Sequence, residues 1–158
     1  MARRMPDEKL REYEELNAFV DMYATHFGKI DPESPSHPTN VGKRIVATAG
    51  MSKALVGLRQ AVNDCLEGLQ DLLPKEVETL DAALRQAGIV TLTELRRRHS
   101  RNCKAVLKRG AIRNETEYYL VKAVLDERTE VLSATEIAHL GTMLFAYEQE
   151  QRPWEGSR

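Results

Sequence analysis

Between Met51 and Leu72 an apolar residue returns at alternating steps of four and three: Met51, Leu55, Leu58, Val62, Cys65, Leu69 and Leu72. This is the a/d seam of a helix that must pack along its length against another helix. Ala47, Gly50, Ala54, Gly57, Ala61 and Gly68 make a second stripe. From Gly50 onward each precedes a seam residue by one position, which puts the stripe about 100° around the helix. Small side chains there admit another backbone at close range. Two usable faces place this helix, expected over 40–73, in the middle of a bundle. Pro74 ends it, since proline lacks an N–H and disfavours helix in the residue before it. Each interior glycine costs about 1 kcal/mol relative to alanine. The turns up to Gly50 are therefore candidates for a separate or bent piece.

The neighbours of this helix are also helical. Leu10, Tyr13, Leu16, Val20, Tyr23 and Phe27 recur on one face and predict a helix over 6–26, with Asp7 and Glu8 suiting its N-terminal dipole. Gly28 stops it. Residues 28–39 follow as a proline-rich loop, where His37 is expected to face solvent. A third helix is expected over 75–87. The pair Thr91 and Glu94 has capping-box spacing and opens a fourth over 94–109. Asn114 with Glu117, and Ser133 with Glu136, open a fifth over 114–126 and a sixth over 133–150. The connection between the last two is short enough to make them an antiparallel hairpin. No alternating apolar pattern predicts a sheet. The fold class is all-α: a five- to six-helix bundle with a long central helix and a C-terminal helical hairpin.

A length of 158 residues fits one domain over 1–150, with 151–158 expected to be a disordered tail. An apolar share of 42% against 30% charged belongs to a folded chain rather than a disordered one. No run approaches the roughly 18 apolar residues of a membrane helix, so no membrane partner is expected. No apolar segment follows Arg3 and Arg4 as a secretory signal requires. Cys65 and Cys103 fall on apolar stripes, and a reduced cytoplasmic setting accounts for them without a disulfide.

The conspicuous polar feature is the fourth helix. Arg97, Arg101, Lys104 and Lys108 form one stripe opposite Leu92, Leu95, Cys103, Val106 and Leu107. A stripe of this kind can track a phosphate backbone, and the preceding short helix and turn have the outline of a helix-turn-helix. Against that, the segment after it is rich in acids, so the stripe and the hairpin can neutralise each other. No aromatic residue is interleaved to stack on bases. A solvated or self-paired face is the favoured reading and nucleic acid the lesser one.

Smaller constellations carry less. His99 and Cys103 stand four apart, as two metal ligands on one helix do, but two ligands do not make a site. Glu136 and His139 have the spacing of a di-iron helix without the second pair that such a centre needs. Tyr118 and Lys122 match a short-chain dehydrogenase spacing in a chain with no strands to support it. Neither catalytic residues, nor a metal, nor a cofactor is assigned. The expected function is a non-enzymatic interaction protein that forms a homo-oligomer through Met51, Leu55, Leu58, Val62, Leu69 and Leu72. Nucleic-acid binding through Arg97, Arg101, Lys104 and Lys108 is the first alternative. The second is a ligand pocket or an enzyme between 114–126 and 133–150, with Tyr118, Tyr119 and Tyr147 presenting hydroxyls.

Overall fold

The computed structural model describes residues 6–128 and 132–151. Among them every regular element is helical and no strand occurs. The helices are α1 Asp7–Met22, α2 Pro38–Ala49, α3 Met51–Gly68, α4 Pro74–Gln86, α5 Leu92–His99, α6 Arg101–Arg109, α7 Glu115–Arg128 and α8 Ala134–Gln151. There are eight where five or six were expected, because two expected helices are each divided, at Gly50 and at Ser100. No helix is long and apolar enough to cross a membrane, among the described residues. Of the tail expected at 151–158, only Gln151 is described, as the last residue of α8. The chain forms two compact units: residues up to 72 with 83–90, and residues 73–82 with 91 onward.

In the first unit α3 packs against α1 and α2. Leu55, Leu58, Val62, Cys65 and Leu69 of the seam are buried, as are Leu16, Phe19 and Val20 of α1. Met51 and Leu72, at the ends of the seam, are half-buried. Each fully buried leucine or valine contributes about 1.5–3 kcal/mol, so the seam is a substantial part of the unit's hydrophobic stabilisation. Arg59 of α3 grips Glu12 of α1 with both arms of its guanidinium, each bond 2.8 Å. The glycines of the small-residue stripe meet a side chain or open space rather than another backbone. A Cβ on Gly68 would collide with the Tyr23 hydroxyl, whereas one on Gly57 would meet nothing.

The long helix expected over 40–73 is instead α2 and α3, joined at Gly50. Gly50 has φ 95° and ψ 163°, a region that side-chain-bearing residues essentially do not enter. Its N–H still bonds back to Ile45 and Val46, so α2 is finished properly before α3 starts in a new direction. At the other end of α2, His37 is fully buried rather than solvent-facing. It caps the helix: the Thr39 N–H donates to His37 Nδ1 at 3.3 Å. With Nδ1 accepting, Nε2 carries the proton and faces Thr25 Oγ1 at 3.0 Å. Thr25 is placed for this by a π turn, Tyr23–Phe27, that continues α1. The adjoining loop is tied down by Asn40, whose amide donates to the carbonyls of Pro32 and Ser34.

In the second unit α5, α6, α7 and α8 surround a core of Cys103, Val106, Ile112, Val121, Val124, Leu140, Met143 and Leu144. The three capping pairs read from the sequence all form. Thr91 Oγ1 accepts from Glu94 N at 3.2 Å, Asn114 Oδ1 from Glu117 N at 2.9 Å, and Ser133 Oγ from Glu136 N at 3.1 Å. A fourth, unexpected cap explains the second division. Ser100 is extended (φ −70°, ψ 123°) and its hydroxyl accepts from Cys103 N at 3.2 Å, which starts α6 afresh. Tyr118, near the start of α7, stacks on Tyr147, near the end of α8, at 5.3 Å. With the short connection after Arg128, that contact fixes the two helices as antiparallel.

Candidate functional site

Division at Ser100 sorts the cations of the fourth expected helix into two groups. Those on α5 answer to carboxylates. Glu94, only 2% exposed, accepts from Arg97 Nε at 2.5 Å and lies 3.5 Å from Arg98. This contact holds the Arg97 guanidinium above its ordinary range. Arg96 lies within the field of buried Asp81. At the far end of α6, Arg109 pairs with Glu117 of α7. Between them Arg101, Lys104 and Lys108 are exposed. None of the three has a carboxylate within ion-pair distance among the described residues. Arg97 therefore leaves the stripe, and the other three remain as an outward cationic face one α6 long.

The self-paired reading holds for part of the stripe only. Its main partner is Glu94, which stands at the capping-box position of the same helix, rather than the acidic hairpin. Leu92, Thr93, Glu94 and Leu95, the first residues of α5, are buried. A reading helix presents its first residues to base edges, and here those residues are inside the unit.

Asp81 supports this arrangement from α4. It is 6% exposed and accepts from the Thr93 amide at 3.3 Å and from the Thr93 hydroxyl. It thus satisfies a free N–H in the first turn of α5. Burial pushes its carboxyl above the ordinary aspartate range, while the Thr93 bonds and the Arg96 charge pull the other way. Sequence reading missed His37, Asp81 and Glu94 as buried polar residues. Each serves a helix start, and the only signal for that is a polar residue beside a predicted N-terminus.

A pocket of about 210 Å³ opens between α5, α6, α7, α8 and Leu132. Leu107, Val124, Leu132 and Leu140 form its apolar walls, and Arg97, Glu136 and His139 are its polar residues. This lining differs from the one expected between the fifth and sixth helices, because α5 and α6 contribute Arg97 and Leu107 to it. Tyr118, Tyr119 and Tyr147 do not line it. They cluster towards the opposite end of the α7/α8 pair, where the Tyr118 hydroxyl donates to Glu148 at 2.5 Å. That bond pushes the Tyr118 phenol up to about 12.

The remaining candidates separate. His99 and Cys103 lie on either side of the Ser100 break, so the helical register that would set them side by side is interrupted. Among the described residues no three His, Cys, Asp or Glu side chains gather as metal ligands. Cys65 and Cys103 are buried free thiols. Burial pushes them up to about 12 and about 11, which makes both poor nucleophiles.

Compared with known proteins, the chain matches no family model, no curated protein and no solved structure.

Proposed function

We propose that the chain is a non-enzymatic interaction protein that uses the cationic face of α6 to bind an acidic protein surface, in a cytoplasmic setting. The observation that carries this reading is the sorting of cations around Ser100. The chain neutralises Arg97, Arg98 and Arg109 internally and leaves Arg101, Lys104 and Lys108 exposed. Spaced over seven residues, these three charges span about 10 Å of helix, a length that one to two turns of an acidic helix can match. A second copy of the chain supplies such a helix: Asp7, Glu8, Glu14 and Asp21 of α1 are exposed. Self-association is accordingly part of the proposal, through charge rather than through the α3 seam, whose central residues are buried within their own unit. Two buried free thiols suit a reducing compartment.

A nucleic-acid backbone is the competing polyanion. It is disfavoured by the burial of the first turn of α5 and by the absence of aromatic residues from α6. Fluorescence anisotropy with a labelled polyglutamate peptide and a short DNA duplex, at stepped salt, separates the two. The acidic peptide is expected to bind at low salt, and the triple variant Arg101→Glu, Lys104→Glu, Lys108→Glu to lose that binding. Preference for the duplex, with a log–log salt slope of about −2.7 for three phosphates, would overturn the protein-partner reading. Equal binding by wild type and triple variant would remove the cationic face altogether.

A further inference from the structure

The pocket in the second unit combines features that α6's outer face lacks. Its walls are the aliphatic side chains Leu107, Val124, Leu132 and Leu140. Its volume of about 210 Å³ somewhat exceeds the roughly 150 Å³ apolar cavity that accepts benzene. An occupant therefore has an apolar part about the size of a leucine or phenylalanine side chain.

Two opposite charges face this space without joining each other. Arg97 is pre-oriented, because its Nε donates to buried Glu94 at 2.5 Å. Its terminal nitrogens make no hydrogen bond among the described residues. These two nitrogens are the end of a guanidinium suited to a carboxylate. Glu136 is held by its cap, with Oε1 accepting from Ser133 N at 3.4 Å. Arg97 senses the Glu136 charge, yet the two are not within the 4.0 Å of an ion pair. His139 adds an imidazole that has no hydrogen-bond partner among the described residues. Gly110 leaves room beside that ring, since a Cβ there would stand 3.4 Å from it.

We infer that this pocket binds an apolar α-amino acid as its zwitterion, with the carboxylate on Arg97, the ammonium on Glu136 and the side chain among the four aliphatic walls. A simple anion would meet the repulsion of Glu136, and a simple cation would leave the terminal nitrogens of Arg97 without an acceptor. A molecule carrying both charges beside one apolar group meets Arg97, Glu136 and the aliphatic walls together. The residues involved are distinct from Arg101, Lys104 and Lys108, so either reading can fail alone.

Calorimetric titration of the full chain with leucine, 4-methylpentanoate and 3-methylbutylamine tests this. Leucine is expected to bind saturably, and the two analogues, each lacking one charge, at least about tenfold more weakly. Glu136→Gln keeps the capping box, which accepts glutamine as well as glutamate. That variant is expected to weaken leucine by about tenfold and leave 4-methylpentanoate no weaker. No saturable heat with leucine by about 10 mM would overturn the inference. So would 4-methylpentanoate binding as tightly as leucine, a result that does not depend on any variant.

Discussion

At the residue scale, the structure is decided by a few polar side chains placed at helix starts. Asp81 is the clearest, since its raised carboxyl makes a signed prediction. A carboxyl whose folded value lies above its unfolded value favours folding while protonated. That contribution is complete below the unfolded aspartate value of about 3.9 and is lost as pH rises through the folded one. Asparagine keeps the acceptor for the Thr93 amide and has no charge to bury. The stability of wild type relative to Asp81→Asn, from urea unfolding, is therefore expected to fall as pH rises across that window. A relative stability that rises with pH would show that the carboxylate is favoured by its surroundings. Asp81→Ala, which leaves the Thr93 donors without their acceptor, is expected to cost about 1–3 kcal/mol. None of this was legible in the sequence, where Asp81 reads as one more surface acid of an amphipathic helix. Its burial depends on where a second helix begins in space. Glu94 was half legible: its capping-box role follows from Thr91, but its grip on Arg97 does not.

At the scale of elements, the existence of the helices was legible and their continuity was not. The helix end at Gly28 and the capping pairs at Thr91, Asn114 and Ser133 are local chemistry, readable from a few neighbouring residues. The breaks at Gly50 and Ser100 required choosing between two locally sound options. The 51–72 seam continues the helical phase well enough to suggest one long helix, while Ser100 lies inside a run of good helix formers. In both cases packing of the following helix decides. Two glycines of the same stripe turn this into a paired test. Gly50→Ala is expected to lose about 1–3 kcal/mol, because φ 95° with ψ 163° is closed to alanine. Gly57→Ala, in mid-helix with open space around it, is expected to gain about 0.5–1 kcal/mol. Thermal unfolding reads both. Matching signs would mean that Gly50 does not hold the break.

At the scale of the whole molecule, the chain uses its apolar seam internally and displays charge. Leu55, Leu58, Val62 and Leu69 are buried in the first unit, leaving Val56 as the large exposed hydrophobic of α3. The second unit pairs Arg97, Arg98 and Arg109 with carboxylates and shows Arg101, Lys104 and Lys108 outward. Surface attraction between exposed charges is screened beyond about 10 Å at 0.1 M salt, so an association built on this face must respond to ionic strength. One built on an apolar seam would not weaken in that way. Static light scattering at roughly 20 µM protein, in low salt and again at about 0.5 M, reads the difference directly. A mass above that of one chain is expected in low salt, falling towards one chain in high salt, with a single-chain mass throughout for the Arg101→Glu, Lys104→Glu, Lys108→Glu variant. A mass that stays the same across the salt range, or an oligomer that survives the triple charge reversal, would contradict association through this face.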